Sequence, residues 1–228
     1  LSQMKRKKSA VIVATIIFVL LGTAALAAES AVSSKIESRV QQQLPSASGI
    51  SASVPLRDLP SILNSDLIKA VKIDIADYTL KSSGRKSSLE ISAKEISKSA
   101  STRIGSLEIK STVDISQLLA ESGFNDAEIV DNALQISVGA GGLGKALIVP
   151  KYSNNQIYFQ IKSVSIMGSP IPTSSLPADI QEQIKSRTVK ELRVPVGLKV
   201  KSVSIGPEGL SVSFQGQNIN LKSLALSL

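Results

Sequence analysis

The residues of this chain that could take part in chemistry are few, and a glycine-rich run is the most conspicuous of them. Residues 139–144, Gly-Ala-Gly-Gly-Leu-Gly, match the Gly-x-Gly-x-x-Gly pattern of dinucleotide-binding loops. Such a loop must open a helix whose N-terminus meets the pyrophosphate, and an acidic residue must follow about twenty positions later. Here residues 146–150 have the pattern of a strand, and no carboxylate occurs between Asp131 and Asp179. The run therefore predicts a loop between two strands.

Carboxylates form one cluster, at Asp126, Glu128 and Asp131. Their oxygens suit calcium, but no loop glycine has the spacing of a calcium loop, so we predict capping and solvated charge there. The chain has no Cys and no His, which removes thiol chemistry, thiolate metal sites and the commonest general base. We expect no enzyme activity, no cofactor and no metal. An envelope hydrolase or transferase working through two carboxylates in a cleft remains an alternative.

The first 28 residues have the pattern of a targeting segment. Lys5-Arg6-Lys7-Lys8 is a basic region, residues 10–21 are an apolar core, and Ala25-Leu26-Ala27 fits a cleavage site. A signal peptide cut here would leave a mature chain that begins near Ala28 or Glu29. The apolar stretch is also nearly long enough to span a bilayer, so a retained anchor stays open. Both interpretations predict that the body lies outside the cytoplasm, in a periplasm-like space or secreted.

The net charge of residues 29–228, the part of the chain that follows the leader, is small. The leader carries four of the 26 basic residues and none of the 18 acidic ones, which leaves a net charge of +4. With three Tyr, four Phe and no Trp, the chain offers no stacking platform for nucleic acid. A weakly positive surface suits anionic lipid head groups, although ordinary solubility explains it equally well. We therefore predict no nucleic-acid partner and name the membrane surface as a candidate partner.

Hydrophobic periodicity predicts an α+β fold with a mainly antiparallel sheet, in a single domain over 29–228. An apolar residue every fourth position predicts a helix at 29–44, and candidate caps, first-turn prolines or a closing glycine predict helices at 56–68, 116–122 and 174–192. Alternating apolar and polar residues predict strands at 71–75, 89–93, 107–109, 134–138, 147–149 and 157–166. A final hairpin is predicted on both sides of Gly206-Pro207-Glu208-Gly209.

One pentapeptide, Lys-Ser-Val-Ser-Ile, occurs at 162–166 and again at 201–205. In both copies the alternation slips by one residue, at Lys162-Ser163 and at Lys201-Ser202. A slip of one residue would turn the apolar set to the solvent unless a β-bulge absorbs it. Since bulges bend and twist a strand, the sequence predicts two strands that curve sharply at related places.

The C-terminal block carries a resemblance to a known family. The run VPVGLKVKSVSIGPEGLSVSFQGQNINL at 194–221 resembles the close of the LmeA-like phospholipid-binding family of bacterial envelope proteins. The run ISASVPLRDLPSILNSDLIKAVKIDIADYTL at 50–80 is similar to that family's segment of strand, proline-containing helix and strand. The resemblance covers roughly residues 29–225. It implies a phospholipid ligand, a role in envelope lipid or lipoglycan assembly, and a fold similar to tubular lipid-binding proteins.

The resemblance and the apolar strands together lead to one hypothesis. A curved sheet wraps long helices and encloses an apolar channel for acyl chains. Slender aliphatic side chains with few rings between them suit such a channel. The predicted lining residues are Val71, Ile73, Ile136, Phe159, Ile161, Val164, Ile166, Val200, Val203 and Ile205. Lys199 and Lys201 are the candidate head-group contacts, and solvated lysines at the edge of a strand are the alternative. The alternative from another class is a structural surface module in which the same residues form an ordinary closed core.

Overall fold

The computed structural model describes residues 29–55, 67–79, 86–97, 103–116, 119, 126–178, 180–182, 184, 190–192 and 194–220. The predicted leader at 1–28 lies outside the described residues, as do most of the predicted helices at 56–68 and 116–122. No helix among the described residues is long and apolar enough to cross a membrane.

Helix α1, Glu29–Gln43, is the helix predicted at the start of the body. Its residues Ile36 and Val40, together with Leu44 just after it, are buried, as the four-residue spacing requires. The helix ends before Pro45, and the Glu37 carboxylate accepts a hydrogen bond of 3.0 Å from the Ala52 amide of the following strand. This bond and the buried face together fix the helix on its sheet.

The first sheet has six strands in the order β1-β2-β3-β4-β12-β11 and does not close. The strand pairs β1–β2 and β2–β3 are antiparallel. Burial alternates along β2 and β3, which is what the alternating sequence predicts. The bounds are β1 Ser48–Ser53, β2 Leu67–Thr79, β3 Lys86–Ser97, β4 Arg103–Val113, β11 Lys199–Gly206 and β12 Gly209–Asn220.

The second sheet is also antiparallel, in the order β10-β8-β7-β6-β5, with β9 paired to β8. A 3₁₀ turn, Ala140–Gly142, joins β6 to β7, so the glycine-rich run is a loop between strands as predicted. A second 3₁₀ turn is Thr173–Ser175. The bounds are β5 Glu128–Val130, β6 Ala133–Val138, β7 Gly144–Ser153, β8 Gln156–Ile166, β9 Ser169–Ile171 and β10 Lys190–Glu191.

The chain divides into two compact units, each with its own core. Unit 1 comprises Leu1–Ser111, Val194–Lys201 and Ser213–Leu228, and unit 2 comprises Thr112–Arg193 and Ser202–Val212. The core of unit 1 is built from α1 and the buried faces of β1 to β4, with Leu198 and Ile219. The core of unit 2 contains Ile115, Leu119, Leu134, Ile136, Ala146, Ile148, Phe159, Val164, Leu176, Ile184, Ile205 and Leu210.

The mainly antiparallel sheet is confirmed, but the expectation that it wraps long helices is wrong for the described residues. Their longest helix is α1, with 15 residues, and the other helical segments are short pieces within 115–119 and 178–184. The helix predicted at 174–192 does not reach its end, because Lys190–Glu191 is a strand paired with Gln156 and Ile157. After Ile184 the sequence has no apolar residue one turn later, so the helical face stops there.

Candidate functional site

The predicted lining residues do not gather in one place. Val71 and Ile73 are buried in the core of unit 1. Ile136, Phe159, Val164 and Ile205 are buried in the core of unit 2, and Ile161 and Val203 are half-buried against it. Val200 is half-buried on β11, and Ile166 is exposed at the end of β8. Three of the ten, Ile161, Val203 and Ile205, line an open pocket in unit 2.

This pocket, here called the unit 2 groove, has a volume of about 590 Å³. Pro150 and Ile205 are buried at its base, and Val149, Ile161 and Val203 are half-buried along it. Polar side chains surround this apolar strip: Asn132, Lys151, Gln160, Lys162 and Ser204 are all exposed. An apolar strip with polar groups around it is the ordinary composition of a small-molecule pocket.

A β-bulge shapes the groove where β8 passes it. In the pairing of β7 with β8, Leu147 lies opposite Ser163 and Ile148 lies opposite Ile161, so Lys162 has no partner residue. The sequence predicts this bulge at Lys162-Ser163, and the structure confirms it. Since the extra residue interrupts the alternation, the Lys162 side chain is exposed while Val164 returns to the core. The related bulge predicted at Lys201-Ser202 stays a prediction.

The groove carries a positive charge. Lys151 and Lys162 stand on its rim, and neither forms an ion pair with any residue that the structure describes. The sequence between Asp131 and Asp179 contains lysines but no carboxylate, so nothing on β7 or β8 neutralises them. An anionic group entering the groove therefore meets two unpaired ammonium groups.

The two lysines predicted for head-group contact lie in unit 1. Lys201 Nζ donates a 2.8 Å hydrogen bond to Glu108 Oε1, and both side chains are about half-exposed. Lys199 lines a separate pocket of about 510 Å³. That pocket is polar, and its other lining residues are Ser92, Lys94, Ser106, Leu107, Glu108, Gly197, Gln215, Gly216 and Gln217. It lacks the apolar strip of the unit 2 groove.

The Lys201–Glu108 pair gives a small pH-dependent contribution to stability. The hydrogen bond from Lys201, together with its charge, lowers the pKa of Glu108 below its ordinary 4.5. The contribution is therefore present above pH 4.5 and is lost as the pH falls through the lowered value. We expect Glu108→Gln to cost less than about 1 kcal/mol at neutral pH, because exposed pairs are weak, and to cost nothing in strong acid. Urea unfolding at both pH values measures this, and a larger loss would contradict it.

Two of the described carboxylates, Glu108 and Asp126, have pKa values shifted downwards. Among the residues that the structure describes, no group of three or more acidic residues is close enough to hold a metal ion. In the predicted acidic cluster, a hydrogen bond with Ser137 lowers the pKa of Asp126. A general acid needs the opposite shift, so neither Asp126 nor Glu108 has the property that the hydrolase alternative requires.

Sequence reasoning missed most of the groove. Leu147 and Val149 carry the predicted alternation of β7, yet the structure buries Ala146, Ile148 and Pro150 and leaves Val149 half-buried. The stretch without carboxylates, residues 132–178, is the signal that could have identified the positive rim.

Comparison with known proteins gives no assignment. No protein-family model matches the sequence. No curated protein matches it, and no solved structure matches the fold.

Proposed function

We propose that this chain is a phospholipid-binding protein that works outside the cytoplasm and holds acyl chains in the unit 2 groove. The observation that carries the proposal is the half-buried strip of Val149, Ile161 and Val203 beside the unpaired Lys151 and Lys162. The targeting pattern of the leader and the resemblance to the LmeA-like family support the same function. A role in envelope lipid or lipoglycan assembly is part of this proposal.

The size and the energetics of the groove suit an acyl segment. Its volume of about 590 Å³ falls within the roughly 300–1,000 Å³ of ordinary ligand pockets. Each methylene removed from water contributes about 0.8 kcal/mol, so eight methylenes contribute about 6 kcal/mol before the cost of ordering the chain. No directional chemistry is needed, which fits a strip made of aliphatic side chains.

The lysines give the groove a preference for the anionic phosphate of a phospholipid. Lys151 follows Pro150 on β7, and Lys162 is the bulged residue of β8, so both stand beside the apolar strip. A lysine ammonium is a mobile point charge that binds phosphate without a fixed geometry. Binding of the head group should therefore weaken at high salt, whereas the acyl contribution should not.

The test is lipid extraction and native mass spectrometry of the protein purified from a bacterial extracytoplasmic fraction. We expect bound phospholipid, and we expect the double variant Lys151→Gln/Lys162→Gln to lose most of its anionic phospholipid. The matched control is Lys94→Gln/Lys199→Gln, which removes two lysines from the pocket of unit 1. Protein free of lipid in every preparation would contradict the proposal and favour a structural module with closed cores. Equal losses in both double variants would contradict the assignment to this groove.

A further inference from the structure

Three large apolar side chains are exposed together at one end of the second sheet. Leu143, Ile166 and Met167 expose 65%, 46% and 83% of their surface. They are neighbours, because Gly144 pairs with Ile166 and the Met167 amide donates a 3.2 Å hydrogen bond to the Leu143 carbonyl. We call this group the apolar tip. Single exposed apolar residues are common, but a cluster on turns marks a contact surface.

The opposite end of the same sheet is polar. The β5–β6 turn there is Asp131-Asn132, and the β7–β8 turn is Asn154-Asn155. The loop 139–143 and the turn Met167-Gly168 close the end that carries the apolar tip. The two ends of one sheet therefore differ sharply in polarity, which ordinary solubility does not require.

Met167 is a poor residue for its turn. It has φ of +48° and Gly168 has φ of +83°, so this two-residue hairpin turn belongs to the type that favours Asn-Gly. Among the non-glycine residues with positive φ that the structure describes, Met167 is the one apolar residue; the rest are Asn, Asp and Glu. A large apolar side chain in the left-handed region, almost fully exposed, serves neither folding nor solubility.

The charged residues on β7 and β8, the strands that lead to the apolar tip, are all lysines. Residues 163–178 carry no charge, and the charged residues within 132–178 are Lys145, Lys151 and Lys162. Lys145 follows Gly144 directly, and Lys162 lies four residues before Ile166, about 13 Å at the usual rise of a strand. The nearby carboxylate Asp126 hydrogen-bonds to Ser137, whose hydroxyl also accepts from Lys145 at 3.0 Å. Strands β6 to β8 behind the tip therefore carry lysines and no carboxylate, and Asp126 offsets part of the charge of Lys145.

We propose that the apolar tip inserts into the interface of an anionic lipid bilayer, with Lys145 and Lys162 toward the head groups. The three exposed side chains stand on a loop and a two-residue turn at one end of the sheet, and a small apolar group of this kind suits insertion into a fluid surface. Apolar side chains enter such an interface by about 5–10 Å, which places Lys145 at head-group level. The proposal concerns docking, and it holds whichever molecule occupies the unit 2 groove.

The first experiment uses the natural absence of cysteine to place one environment-sensitive fluorophore on the full chain, at Met167→Cys. The control position is Ser153→Cys, an exposed residue beside the polar β7–β8 turn at the opposite end of the same sheet. With phosphatidylcholine vesicles containing phosphatidylglycerol, the Met167 label should shift to the blue and be quenched by lipid-borne quenchers, and the Ser153 label should not. No shift at Met167, or equal shifts at both positions, would overturn the proposal.

The second experiment removes the rest of the tip. In the labelled Met167→Cys chain, Leu143→Ser with Ile166→Ser should raise the lipid needed for half of the signal by at least about tenfold. The control is Val196→Ser, which changes an exposed apolar residue in unit 1. An unchanged lipid requirement would overturn the proposal. A blue shift that depends on protein concentration without vesicles would overturn it too, in favour of contact with a second copy.

Docking and lipid storage are separable. Val203→Asp changes the groove and should leave the lipid titration of the Met167 label unaltered. Persistence of the Met167 signal in protein that never yields extracted phospholipid would support the tip while contradicting the proposed function.

Discussion

Val203→Asp is expected to reduce the phospholipid that co-purifies with the protein by at least about tenfold while the fold survives. Val203 is half-buried in the unit 2 groove, so the new carboxylate stays in contact with water. The substitution removes about 1.5 kcal/mol of apolar contact with the acyl chain and repels the phosphate, and each 1.4 kcal/mol is a factor of ten in affinity. Lipid extraction measures the first effect, and thermal unfolding should show a loss of only about 1 kcal/mol.

Two other Val→Asp variants serve as controls for Val203→Asp. Val164 is 2% exposed in the core of unit 2, so Val164→Asp should cost 3 kcal/mol or more, roughly, because it buries an unpaired carboxylate. Val200→Asp, at a half-buried position of β11 outside the groove, should leave the lipid content unchanged. If Val203→Asp unfolds the protein as Val164→Asp does, the groove is part of a closed core. If Val200→Asp removes lipid equally, the loss is not specific to the groove.

Gly209→Ala is expected to destabilise the protein by about 3 kcal/mol. Gly209 begins β12 with φ of +129°, a conformation that residues with a side chain rarely adopt. A Cβ added there would overlap with the backbone carbonyl of Val113, which is fixed in the neighbouring strand β4. Either the pairing of β12 with β4 must shift or the strain must be retained, and both lower stability.

Gly206→Ala is the matched control, because it changes the other glycine of the same Gly-Pro-Glu-Gly turn. A Cβ at Gly206 would meet no atom within 4 Å, so a change below about 0.5 kcal/mol is expected. Urea unfolding of the two variants measures the difference directly. Equal midpoints would show that the turn tolerates a side chain at both ends and that the close approach at Val113 relaxes freely.

The strands could be predicted from the sequence because the alternation of apolar and polar residues depends only on neighbouring positions in the chain. Alternation along β2 and β3 placed the buried faces correctly, and a slip of one residue in the apolar pattern was enough to locate the bulge at Lys162. Both features follow from the two-residue period of a strand. The helix predicted at 174–192 is present only in part: helical residues lie within 178–184, where Ile180 and Ile184 fit a helical face, whereas Lys190 pairs with Ile157 in β8. At that end, strand pairing outweighed local helix propensity.

The groove could not be predicted from the sequence, because it joins segments that lie far apart in the chain. Val149 and Ile161 come from neighbouring strands, whereas Val203 comes from β11 in the other sheet. Burial also depends on what covers a strand: Val71 and Val203 have similar sequence surroundings, yet one is fully buried and the other lines an open pocket. Periodicity identifies an apolar face but does not identify what lies against it.

The late position of β12 in the chain governs the order in which this protein can fold. The Thr112 and Ser211 hydroxyls, 99 positions apart, share a hydrogen bond, and Lys201 reaches Glu108 across 93 positions. Residues 194–220 contribute to both units, so neither unit is complete until that segment has been synthesised. Until then β4 has a free edge, which makes the nascent chain vulnerable to aggregation and slows its folding.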